Sequence, residues 1–224
     1  MGDPATVTFS QFLDQADTGD VVIWQGTSLI SLGVELATFS HFSHTTMVIR
    51  DPDNGDKYLF QSVSESLAAD PLTKPPGSTH SGVQAGPLEQ TMELVFKAGD
   101  FPSWRQLDWP DRPAQFNAKM WQIAQGIDGT PFPWVDGDTY KSVAMMLGLL
   151  LLGREMETPV LKPIFCSGLV AFMLQQTGVI QTTMPPNGYE PKDFSSTYPG
   201  VVHTCPGVSF NTDVWVMDIP PPSK

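Results

Sequence analysis

Apolar residues along the chain fall into short blocks of two different periods, separated by Gly, Pro, Asn and Asp. Residues 21–24 (Val-Val-Ile-Trp) form an unbroken apolar run after Gly19-Asp20, the pattern of a buried strand. Residues 46–50 and 57–63 are β-like runs flanking Asp51-Pro52-Asp53-Asn54-Gly55-Asp56, and Asn-Gly between such runs predicts a hairpin. Residues 82–84 and 92–97 read as further strands, the second alternating like an edge strand, and residues 201–204 and 214–217 supply the last ones. Helical spacing takes over elsewhere. Residues 10–15 predict a short helix, and Leu29, Leu32, Val34, Leu36 and Ala37 place another over 28–39. Residues 112–127 form an amphipathic helix with Pro113 in its first turn and Gly126 near its end. A last apolar helix opens at Phe165-Cys166-Ser167-Gly168-Leu169-Val170 and stops at Gly178.

Between these blocks, residues 68–81 read as a Pro/Gly/Ser-rich loop, 128–138 as a turn-rich segment including Asp136-Gly137-Asp138, and 220–224 as a loose tail. Neither an internal repeat nor a domain linker interrupts the pattern. It predicts one α+β domain over 1–224 with its core at about 19–217.

Composition narrows the classes. With 41% hydrophobic residues in 224, the chain can bury a good core. Its net charge of −12, with only 12 scattered Lys and Arg, argues against a nucleic-acid partner or an anionic membrane surface. Two cysteines are too few for a disulfide framework, and the start lacks a basic-then-apolar leader, so the expectation is a cytoplasmic protein. Met1 to Thr6 formally fits a myristoylation pattern, but Asp3 and Pro4 favour a chance match. The longest apolar run, 143–152, falls well short of the roughly 20 residues a membrane span needs. It reads as a buried helix, the alternative being an apolar wall beside a site, with weak membrane contact.

Candidate chemistry centres on Cys166. A cysteine in the first turn of a helix meets unpaired N–H groups and the positive end of the dipole, which favour a thiolate. A potential base, His44, lies upstream, leading into a β-like run. If the hairpin pairs residues whose numbers sum to about 107, Gln61 becomes a diagonal neighbour of His44 on one face. Its amide oxygen then orients the imidazole without adding charge. His203, which follows Cys166 in a β-like run, competes as the base but lacks the Ser-rich turn and paired strand.

Other features point away from chemistry. His41 and His44 make an H-x-x-H pair, but the cysteines are not at ligand spacing, so neither metal nor cofactor is expected. Cys205 reads as structural and His80 as a solvated loop residue. Residues 51–62 only superficially resemble a calcium loop: Gly55 comes one position early and Ser62 stands where a Glu is needed. A phosphate-cradling glycine loop and a G-x-S-x-G elbow are both absent from the sequence.

The blocks Gly19-Asp20-Val21-Val22-Ile23-Trp24, Thr38-Phe39-Ser40-His41-Phe42-Ser43-His44-Thr45-Thr46-Met47-Val48, Tyr58-Leu59-Phe60-Gln61-Ser62-Val63 and Phe165-Cys166-Ser167-Gly168-Leu169-Val170 carry a resemblance. Gly129-Thr130-Pro131-Phe132 and Pro191-Lys192-Asp193-Phe194 are weaker echoes of it. Together the chain resembles the circularly permuted branch of the NlpC/P60 (papain-like) superfamily, in particular the YiiX-like cysteine peptidases, and more distantly lecithin retinol acyltransferase-type enzymes. The resemblance implies a papain-like fold, with a small antiparallel sheet packed on the cysteine-bearing helix. It also implies Cys166 as nucleophile, His44 as base and Gln61 as the third group, in a cysteine hydrolase cleaving an amide or peptide bond through a thioester. The substrate so implied is a peptide or amide, for example of peptidoglycan or γ-linked type. One alternative is a lipid-directed acyltransferase or thioesterase holding an acyl lipid at 143–152. A second is a non-catalytic module that binds peptide or lipid. Family members often carry Glu where Gln61 and Gly168 stand here, which implies altered tuning of the site.

Overall fold

The computed structural model describes residues 5–27, 35, 39–64, 69–73, 77, 80–132 and 164–217. The expected helix over 28–39 and the apolar run 143–152 fall almost wholly outside these residues, as do Asp136-Gly137-Asp138 and the 220–224 tail. Strands are β1 (Thr6–Thr8), β2 (Val21–Gln25), β3 (His44–Arg50), β4 (Lys57–Val63), β5 (Gly82–Pro87), β6 (Phe101–Arg105), β7 (Leu107–Asp108), β8 (Ser209–Phe210) and β9 (Val214–Met217). Helices are α1 (Phe9–Gln15), α2 (Leu88–Lys97), α3 (Phe116–Ile127) and α4 (Cys166–Gln176).

Seven of the strands form one sheet in the order β1-β9-β6-β2-β3-β4-β5, and β7 and β8 pair separately. The sheet is larger than the small antiparallel one expected, and it is mixed, because β1 runs parallel to β9. Every other pairing within it is antiparallel. The hairpin forms as the Asn-Gly signal predicts, with Met47 opposite Phe60 and Arg50 opposite Lys57.

Strand alternation sends side chains to two cores. Val21, Ile23, Met47, Ile49 and Phe60 pack with Leu169, Val170 and Met173 of α4 and with Met120 of α3. Val22, Val48, Leu59 and Trp104 pack with Phe12 of α1 and Leu88, Met92 and Val95 of α2. The sheet is therefore covered on both faces, which explains why β2 and β3 read as near-continuous apolar runs. At the start of β2, buried Asp20 accepts hydrogen bonds from Leu107 N, Trp104 Nε1 and Asp17 N. Burial nevertheless pushes its carboxyl up to about 6, with those hydrogen bonds pulling the other way.

Three expectations need correction. Residues 92–97 belong to helix α2, because the buried positions Leu88, Thr91, Met92 and Val95 follow a helical period. Glu89 in its first turn and Lys97 in its last complement the helix dipole. Strand β6 was not anticipated: Pro102 lowers its strand signal, yet it pairs with both β2 and β9. Residues 201–204 form no strand, and only Thr204 makes an isolated bridge, to Ile180.

Candidate active site

The ladder between β3 and β4 ends at Met47 and Phe60. Beyond it, polar groups that further pairing would occupy turn to new partners. Ser62 Oγ donates to Ile164 O at 2.7 Å, anchoring the segment that leads into α4. The backbone N–H of Thr45 faces the sulfur of Cys166, together with the N–H groups of Ser167 and of Cys166 itself. Across the same opening His44 Nε2 lies 3.3 Å from Gln61 Oε1. The start of α4 is thus wedged where β3 and β4 part, beside the rung that the His44–Gln61 pair makes.

Each residue arrives there for a local reason. His44 is the first residue of β3, opposite Trp24, whose ring lies 4.5 Å from the imidazole, centroid to centroid. Gln61 follows the apolar core of β4 and is fully buried. Cys166 opens α4 behind an extended N-cap, Phe165. Ser167 Oγ donates to Tyr189 O at 2.7 Å, fixing the first turn of α4 from its outer side. A Cβ on Gly168 would lie 2.3 Å from Asn187 Oδ1 and 3.3 Å from its Cα. The glutamate common at that position in the resembled family has no room here, because Asn187 occupies the space.

Electrostatics set the resting state. Burial lowers His44 to about 4, opposed only by the hydrogen bond to Gln61. Burial also pushes the Cys166 thiol up, outweighing the three backbone N–H groups that pull it down. The thiolate expected from helix position alone is corrected here: desolvation exceeds the helix-terminus effect. Cys166 therefore rests as a neutral thiol and His44 as a neutral imidazole. Both residues stay partly exposed, so they can be reached from solvent. When Nε2–H donates to Gln61, the basic lone pair sits on Nδ1.

This environment yields a pH prediction. Were His44 to serve as a general base, its neutrality through the mildly acidic range would let kcat/KM fall only as pH drops through about 4. Gln61→Glu places a carboxylate against the imidazole, stabilises its protonated form and moves that acid limb upward by about 1–3 pH units. A pH profile of the two proteins decides it; coincident limbs would remove Gln61 from any role in tuning His44.

Other candidates lie apart. His203 is exposed, and its carbonyl accepts from Gln181 N, so it does not join the site. His41 is also exposed. Cys205 packs partly buried against the main core, with its N–H on Val179 O, as a structural residue does. His80 is not solvated as expected. Its Nε2 lies 2.8 Å from Val83 O, 3.7 Å from Asp70 Oδ2 and 3.8 Å from Asp128 Oδ1. Asp70, His80 and Asp128 offer ligand atoms within 4.8 Å of one another, whereas the expectation against a metal had weighed only His41, His44 and the cysteines. Burial, and then the Asp70 charge, push the Asp128 carboxyl up to about 7. Thr45, Ser62, Trp24 and Asn187 also escaped sequence reasoning, since only the parting of β3 and β4 gives the first two their partners.

The chain is similar to the solved structure of the metalloprotein yiiX from Escherichia coli O157:H7 (DUF1105), at 20% identity and a TM-score of 0.41. The match covers 90% of this chain and 99% of that one. No family model matches the chain, and no curated protein matches it. Among the described residues no helix is long and apolar enough to cross a membrane.

Proposed function

We propose that the protein is a papain-like cysteine hydrolase that cleaves an amide or peptide bond through a thioester. The observation that supports it most is the sulfur of Cys166 held on backbone N–H groups in the opening beside the His44–Gln61 pair. In this reading Nδ1 of His44 takes the thiol proton as the sulfur bonds to the substrate carbonyl carbon. The N–H groups at the start of α4 face the oxyanion that forms. The C–N bond then breaks and His44 returns the proton to the departing amine. Water, deprotonated by His44, adds to the thioester; the C–S bond breaks, and the sulfur recovers its proton. Gln61 keeps one tautomer and one ring orientation through both halves.

A neutral resting pair makes proton transfer part of the attack rather than a prior event. The site therefore favours substrates whose own docking displaces water from the sulfur.

The test joins labelling to turnover. Incubation with a thiol-directed electrophile followed by peptide mapping should find the adduct on Cys166, unchanged in Cys205→Ala. A panel of dipeptide amides, γ-linked dipeptides, acyl thioesters and phospholipids should show turnover of the amides foremost. Adducts on Cys205 alone, or no turnover of any member, would overturn the reading; thioester or phospholipid turnover alone would replace it with the lipid-directed one.

A further inference from the structure

On the far side of β4 from β3, three segments converge. Asp70 is buried in the 69–73 stretch, His80 precedes β5, and Asp128 caps the end of α3. Their backbones are tied together: Val83 N donates to Thr130 O at 2.8 Å and Gly129 N to Val83 O at 2.9 Å. Asp70 Oδ1 accepts from Leu72 N and Oδ2 from Ala85 N, at 2.8 and 3.1 Å. One carboxylate is thereby fixed in direction, with further lone pairs to spare.

The Asp128 carboxyl is satisfied only in part, by the Asp70 carboxylate beside it and the Gly129 N–H. The side chain of Asp128 is only 9% exposed, and its Oδ1 has no hydrogen-bond partner although it points at His80 Nε2. His80 Nδ1 is likewise buried without a partner. A buried carboxylate oxygen without a donor costs stability until a proton or a cation completes it.

We propose that Asp70, His80 and Asp128 bind a divalent transition-metal ion. Two carboxylates and one imidazole form a mixed oxygen–nitrogen set suited to zinc and its neighbours. Oxygen and nitrogen ligands of tetrahedral zinc sit ~3.3 Å apart, for bonds of about 2.0–2.2 Å. The distances of 3.7 and 3.8 Å from His80 Nε2 to the two carboxylates need only a small closing movement. On metal binding the ring proton moves from Nε2 to Nδ1, and the freed Nε2 lone pair turns to the ion. Val83 O loses the Nε2–H donor but keeps Gly129 N–H.

The ion would clamp Asp70 and the end of α3 to the start of β5. Gln84 in β5 donates to His80 O at 2.7 Å and lies opposite Gln61 in the ladder, so the clamp sits one strand from the residue that orients His44. The site is independent of the thiol chemistry.

Full-length protein stripped with a chelator and titrated with zinc chloride in a calorimeter should bind one ion per chain and gain several degrees in Tm. Asp128→Asn, isosteric and free of the carboxylate pair's repulsion, should fold with an unchanged or higher metal-free Tm. It should bind zinc about tenfold or more weakly, as should His80→Gln, while Cys166→Ala binds as the wild type does. The proposal is overturned if zinc at millimolar concentration gives neither heat nor a Tm shift. It is equally overturned if Asp128→Asn binds as tightly as the wild type, or if Cys166→Ala abolishes binding and so places the ion on the sulfur.

Discussion

Under the proposed hydrolase reading, Cys166→Ala is expected to lower kcat/KM on the best amide substrate by ~10³-fold or more, and His44→Ala to do nearly the same. The double variant should lose little beyond either single one. The reason lies in the resting state. Burial keeps the thiol protonated and the imidazole neutral, so neither group acts alone. A sulfur without a proton acceptor stays a poor nucleophile, and an imidazole without the thiol has no proton to take. Groups that work as a unit give strongly non-additive losses. Steady-state kinetics on the three variants measure this. Losses that multiply, or a Cys166→Ala protein that keeps its turnover, would break the assignment. Near-native circular dichroism should accompany the losses, because α4 is anchored by Ser62 on Ile164 O and Ser167 on Tyr189 O and not by the thiol.

The second large effect concerns stability. Gly82→Ala should destabilise the fold by about 2–5 kcal/mol, from positive-φ strain and overpacking together. For a chain of this size that corresponds to a Tm lower by roughly 5–15 °C. Gly82 opens β5 at φ +102°, and a Cβ there would lie 2.2 Å from Thr130 O and 3.1 Å from Phe132 N. Both are backbone atoms, and Thr130 O accepts from Val83 N, so no side-chain rotation relieves the clash. Gly55 provides the control: its φ is +81°, but nothing lies within 4 Å of the added carbon. Gly55→Ala should cost about 1–2 kcal/mol, from backbone strain alone. Thermal unfolding of both variants separates the terms, and equal losses would show that the approach of residues 129–132 carries no weight.

Much of the frame was legible in the chain. The Asn-Gly turn sets the β3–β4 register, and that register alone places Gln61 within reach of His44. The continuous apolar run of β2, the amphipathic α3 and the apolar α4 needed only periodicity. Reading failed where tertiary partners decide. Residues 92–97 alternate like a strand, and only the buried contacts of Leu88 and Thr91 show the helical period. Pro102 disguises a strand flanked on both sides. The direction of the thiol's shift depends on desolvation, which no local pattern reports. Asp70, His80 and Asp128 are far apart along the chain, with no ligand spacing to link them; β5 and the end of α3 bring them together.

The pairing of β1 with β9 carries a kinetic consequence. Strand β1 finds its sheet neighbour only in β9, far along the chain, which must slot between it and β6. Such long-range closure comes late, because loop entropy is paid before the contact rewards it. Until then the edge of β6 that β9 covers stays open, so the window in which this chain is vulnerable to aggregation lasts until β9 docks.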